Sequence, residues 1–134
     1  MKTLHIMVGL PRSGKSTVAR KMGYPIVCPD SIRTVFHESP FKPNIEPMIW
    51  AVAHVMVEAL FDAGHDDVIL DACNHTERRR REWLSPAWSC VFKVVETNVD
   101  ICIQRAHETN QDYLIPVIKR MAADSEPVGG KTDC

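Results

Sequence analysis

Residues 9–16, Gly-Leu-Pro-Arg-Ser-Gly-Lys-Ser, restrict this chain more than any other stretch. They fit G-x-x-x-x-G-K-[ST], a glycine-rich turn that cradles phosphate oxygens. The five residues before them, Leu4-His5-Ile6-Met7-Val8, read as a buried strand, and residues 16–22 read as a helix. Strand, turn and helix in that order are the setting the pattern needs. Gly9 and Gly14 are expected to turn the backbone through positive φ and to admit a close ligand. The loop N–H groups and the helix N-terminus then point at an anion. Lys15 is spaced to reach β- and γ-phosphates, and the Ser16 hydroxyl to bind Mg²⁺. ATP and Mg²⁺ are therefore the expected cofactors. The nucleotide-binding set is Gly9, Pro11, Arg12, Ser13, Gly14, Lys15, Ser16 and Thr17.

The 134 residues suit one domain, 1–134, with 125–134 as a flexible tail. A net charge of −1 gives no global field that draws nucleic acid, so such a partner would need a local basic patch. Lys2 and His5 interrupt the first apolar run, so no secretory leader is expected. No stretch nears the roughly 18 apolar residues of a membrane helix, so no membrane partner is expected. The cysteines, Cys28, Cys73, Cys90, Cys102 and Cys134, are odd in number and lack a C-x-x-C pair. Free thiols and a cytoplasmic location follow. The six histidines are scattered without ligand spacing, so no structural metal is expected. The oligomeric state is open.

Further strands are expected at 25–28, 68–70 and 91–95, and helices at 30–36, 45–63, 77–84, 99–108 and 115–123. Two prolines make 39–44 a loop. The long helix carries Ile49, Val52, Ala53, Met56, Ala59 and Leu60 as its apolar stripe and ends at Gly64. Asn74 and Glu77 are spaced as a capping box for the helix before Pro86. Residues 107–113 are polar and read as mobile. Short β-branched strands alternating with helices imply an α/β fold with a small parallel sheet of about four strands, covered on both faces. Ligands of such sheets bind beyond the carboxyl ends of the strands, where Gly9, Asp30 and Asp71 all fall.

Asp71 ends its strand and suits support of the Mg²⁺ shell or of the loop. Asp30 and Arg33, three apart, share a helix face. There Asp30 suits a base for an acceptor hydroxyl, and Arg33 a donor fork for an anionic acceptor. Asp30 equally suits a helix cap, with Arg33 solvated. Arg105 and Arg120 bracket the polar segment; either can offset charge on a transferred phosphoryl group from a lid that excludes water. Arg78, Arg79, Arg80 and Arg81 would cover every face of a helix, so a solvated face is the default and a polyanion edge the sharper option. Trp50, Trp83 and Trp88 read as core or hinge packing before base stacking. Neither Cys28 nor Cys73 is marked as a catalytic thiol.

Together these residues resemble the AAA_33-type P-loop kinases, the family that includes the kinase domains of 5′-hydroxyl polynucleotide kinases. The likeness rests on Gly9 to Thr17, on Asp30-Ser31-Ile32-Arg33, and on Val68 to Asn74 with the arginine-rich helix. Arg105 ahead of Ile115 to Met121 completes it. It implies a P-loop NTPase fold with an arginine-bearing lid. It assigns general-base duty to Asp30, acceptor binding to Asp30 and Arg33, and catalytic roles to Lys15 and Arg105, the latter also touching nucleotide. It implies a nucleic-acid or nucleotide acceptor, phosphorylated on its 5′-hydroxyl. The family lid has a second arginine four residues after the first; here Thr109 stands there. A small-metabolite kinase and an ATP-binding switch with little transfer activity are the alternative readings.

Overall fold

A computed structural model describes residues 1–36 and 43–129. The strands are β1 (Thr3–Val8), β2 (Ile26–Val27), β3 (Asp67–Leu70) and β4 (Ser89–Val94). All pair in parallel, in the order β2-β3-β1-β4. Around them lie α1 (Lys15–Met22), α2 (Pro29–Phe36), α3 (Glu46–Asp62), α4 (Glu77–Arg81), α5 (Val99–Glu108) and α6 (Ile115–Asp124). The fold is the expected four-stranded parallel α/β sheet.

Alternation along β1 sorts its side chains to two faces. Leu4, Ile6 and Val8 join Val68, Leu70 and Val27 beneath α2 and α3. Met7 and Ile69 face the other way, against Ala19 of α1. Both faces are buried, which is why the strands read as nearly unbroken apolar runs. A third cluster, Cys102, Ala106 and Ile118, joins α5 to α6 and reaches Leu10 of the loop.

Several expectations need correction. On α3 the buried line is Ile49, Ala53, Val57 and Phe61, while Met56 and Ala59 are exposed. A buried aliphatic contributes about 1.5–3 kcal/mol, against tenths for helix propensity, so contact with the sheet fixes the helix's rotation. Gly64 does end α3: it adopts φ 104°, its N–H bonds Phe61 O, and the next N–H bonds Leu60 O. Of the expected loop 39–44, residues 39–42 lie outside the described residues. Pro43 opens a 3₁₀ turn, Pro43–Ile45, where its missing N–H costs nothing.

Helix α4 stops at Arg81, three residues early, because i→i+3 bonds tighten the chain and drop Trp83 into the core. Its cap is Thr76, whose hydroxyl accepts from the Arg79 N–H at 3.3 Å, and not Asn74. Asn74 instead sits at φ 46° and donates its amide to Met7 O at 2.8 Å. The tail is docked where it is described. Glu126 N–H bonds His75 O at 2.8 Å, Arg80 donates to Pro127 O at 3.2 Å, and Val128 packs on the core. Residues 130–134 lie outside the described residues. Trp83 is buried, and Trp88 stacks on Phe61 and donates to Trp83 O, so both serve packing as expected.

Candidate active site

The turn after β1 is shaped by contact before conformation. A Cβ on Gly9 would lie 2.7 Å from Ser13 Oγ and 3.1 Å from Val95 O, so only glycine fits. Gly9 does not adopt positive φ; the left-handed positions are Arg12 at 67° and Gly14 at 97°. Ser13 N–H bonds Leu10 O, and Thr97 Oγ1 donates to Ser13 O at 2.7 Å. Gly14 opens α1 without any side-chain cap. The first N–H groups of a helix have no intrahelical acceptor, so this end is open to an anion.

Ser16 Oγ donates to Asp71 Oδ2 at 2.7 Å. Asp71 is buried, and its Oδ1 has no hydrogen-bond partner. A buried carboxylate oxygen without a donor is costly alone. A hydrated divalent cation beside Ser16 would satisfy it, so the residues present fit Mg²⁺.

Lys15 lies near enough to the Cys73 thiol to bear on its ionisation. Burial pushes that thiol's pKa up, the Lys15 charge pulls it down, and Asp30 and Asp71 push it up again. One half-buried thiol thus senses Lys15, Asp30 and Asp71, so the three expected charges lie around one sheet edge. A thiol with a raised pKa is a poor nucleophile. The other described cysteines, Cys28, Cys90 and Cys102, likewise form no disulfide.

Asp30 stands in the first turn of α2 with its side chain 79% exposed. Arg33 Nη1 donates to it at 2.5 Å. The rest of the guanidinium is not solvated: Nε and Nη2 grip Glu46 at 2.8 and 2.6 Å, a two-pronged pair. Burial works against the Arg33 charge, but hydrogen bonding to Glu46 and the charges of Asp30 and Glu46 outweigh it and hold the pKa above its usual value. Glu46 escapes sequence reasoning. An acid in a first helical turn reads as a partner of the helix dipole, and its true partner lies on another helix.

Arg105 is exposed on α5 and donates from Nη1 to Arg12 O at 3.1 Å, over the loop. Arg120 instead lies by His75 on the α6 side. Thr109, the departure from the family lid, ends α5 by donating to Arg105 O at 2.9 Å. In the arginine run, Arg78 and Arg81 are exposed as expected of a solvated face, and Arg81 pairs with Glu77. Arg80 departs from that expectation: it is fully buried and donates to Asn74 O. Beside the loop opens a cleft of about 590 Å³, between Gly9 and Leu10, the segment after β4, and Pro127 and Val128. Its tail wall is another feature the sequence did not reveal.

Comparison with known proteins fits this geometry. A chain of the Pnkp1/Rnl/Hen1 complex superposes with a TM-score of 0.70 at 30% identity, covering 79% of this chain and 39% of its own. This chain therefore spans about two-fifths of that one's length. A gluconokinase from Sinorhizobium meliloti 1021 gives 0.63 at 19% identity, with 96% and 78% covered. A shikimate kinase from Acinetobacter baumannii gives 0.51 at 14%, with 98% and 87% covered. These last two share the fold. No curated protein sequence matches the chain. No helix among the described residues is long and apolar enough to cross a membrane. The AAA_33 model, an AAA domain, matches residues 4–124, and the chain belongs to that P-loop family.

Proposed function

We propose that this protein, acting as a single domain in the cytoplasm, is an ATP- and Mg²⁺-dependent kinase. It transfers the γ-phosphoryl group to the 5′-hydroxyl of a polynucleotide or nucleotide. The observation that carries the reading is Asp30: an open carboxylate, held by Arg33, on the edge that also carries Lys15 and the Ser16–Asp71 pair. An ATP-binding switch has little use for an acceptor-side base there.

The loop from Gly9 to Thr17 holds the phosphates through N–H groups and the Lys15 ammonium, and the adjoining cleft has the size for a nucleoside. Ser16 would hold Mg²⁺, with Asp71 supporting its shell. When bound, the metal neutralises charge on the phosphate oxygens. Asp30 aligns the acceptor hydroxyl and takes its proton while the new O–P bond forms and the bond to ADP breaks. Arg105, poised over the loop, offsets charge spreading on the transferred group. Arg33, with the N–H groups that Asp30 and Glu46 leave open, steadies an acceptor phosphate. Likeness at 30% identity to a chain of the Pnkp1/Rnl/Hen1 complex, an RNA repair complex, supports a nucleic-acid acceptor.

A small-metabolite kinase is the second reading. It is favoured by the grip of Glu46 on Arg33 and by Thr109 in place of a lid arginine. Labelled γ-phosphate offered with Mg²⁺ to 5′-hydroxyl oligonucleotides, nucleosides and sugars separates the two. Label on oligonucleotide is the expected result; label on a sugar alone rejects the nucleic-acid acceptor.

A further inference from the structure

We infer that Trp50 and Arg79 form a subsite for an inner phosphate and base of a single-stranded polynucleotide acceptor. The inference rests on the kinase reading above and extends the acceptor site beyond Arg33. The Arg79 guanidinium lies 4.0 Å from the centroid of the Trp50 ring, and the Arg33 guanidinium lies 6.0 Å from the same centroid. Asp30, Arg33, Trp50 and Arg79 thus form one line across α2, α3 and α4. The two cations are close enough for neighbouring phosphates of one strand to reach both.

Charge decides which of them takes the inner phosphate. Arg33 is held between two carboxylates, which offset its charge and leave it the weaker of the two phosphate contacts. Arg79 has one carboxylate partner, Glu82, which Nη1 meets at 2.9 Å. Its Nε and Nη2 have no protein acceptor among the described residues. About a third of its side chain is exposed, 36%. Trp50 is half-buried, wedged 6.3 Å from the buried Trp83, so its ring is fixed in place. A fixed indole edge with a guanidinium stacked on it is the surface on which single-stranded bases and their phosphates settle.

The test compares a 3′-phosphorylated mononucleotide with a 5′-hydroxyl hexanucleotide as acceptors. The variant Arg79→Met keeps a stem over Trp50 and removes the charge. In the wild type the hexanucleotide should have a KM about tenfold lower, the scale of one charge-assisted contact. Arg79→Met should raise the hexanucleotide KM about tenfold more than the mononucleotide KM. It should also flatten the hexanucleotide's log KM against log salt by about 0.7, the release expected for one single-strand phosphate contact. Arg79→Lys keeps the charge, so it should keep the salt slope while losing part of the length preference; it reads the subsite even if Arg79→Met folds poorly. If both acceptors weaken by one factor and the salt slope stays put, Arg79 only packs on Trp50, and the subsite is rejected. A wild type that phosphorylates a sugar and neither nucleotide overturns the acceptor reading, and the subsite with it.

Discussion

Asp71 has one oxygen held by Ser16 and one buried with nothing to hold it. That imbalance gives the residue a purpose beyond ending β3. Asp71→Asn keeps the shape and still accepts from Ser16 but loses the charge. Outer partners of a metal shell are typically worth 10–100-fold in metal affinity. The Mg²⁺ concentration at half-maximal transfer should therefore rise by roughly tenfold or more, with metal-free ATP binding little changed. Magnesium titration of the two proteins checks this; superimposable curves would leave Asp71 a hydrogen-bond partner and nothing more. The closeness of Lys15, Ser16 and Asp71 is legible in sequence because each sits at a fixed offset from a strand end. Glu46 is not. It meets Arg33 across thirteen residues and a change of helix, and only the packing of α2 on α3 brings the two together.

The short helix α4 and the tail behave as one unit. Arg80 is the peg: it is fully buried and donates to Asn74 O in the loop after β3 and to Pro127 O in the tail. A sequence reader sees four equivalent arginines. The helix then assigns them different fates, because only one of four successive positions points inward. Arg80→Ala removes these bonds, unpairs the carbonyls they serve and opens a void. The cost should be about 2–4 kcal/mol, or roughly 10 °C in melting temperature for a chain this size. Amide exchange at Glu126, whose N–H is held by His75 O, should speed up with it. Unchanged melting and exchange would mean that Glu126 and Val128 hold the tail without Arg80. The strands were readable since burial on both faces leaves an unbroken apolar run. The tail was not: a polar segment with glycine and proline gives no periodic signal, and its anchors are backbone carbonyls.

Over the whole molecule, stability should depend on pH through half-buried imidazoles. Burial lowers the His54 pKa, while the charges of Glu58 and Glu82 oppose this in part; the ring stacks on Trp83 at 3.9 Å. Burial lowers His75 as well, opposed by Asp124 and aided by Arg79, Arg80 and Arg120. In the unfolded chain both return to about 6.5. Below that value the unfolded state takes up protons before the folded one does, so the folded state loses stability as pH falls. Melting temperature should hold above pH 7 and drop towards pH 5. His54→Phe keeps a stacked ring and should give a shallower drop; parallel curves would clear His54 of the effect. The central claim, that the sheet edge is built to transfer a phosphoryl group, is tested most directly by Asp30→Asn. One preparation serves for ATP affinity, melting temperature and transfer rate to a 5′-hydroxyl oligonucleotide. The variant should bind ATP and melt as the wild type does, with transfer down by about 10²-fold, the low end for general-base assistance given a loose transition state. Transfer at the wild-type rate with binding and melting intact would contradict the account and leave Asp30 a helix-end carboxylate.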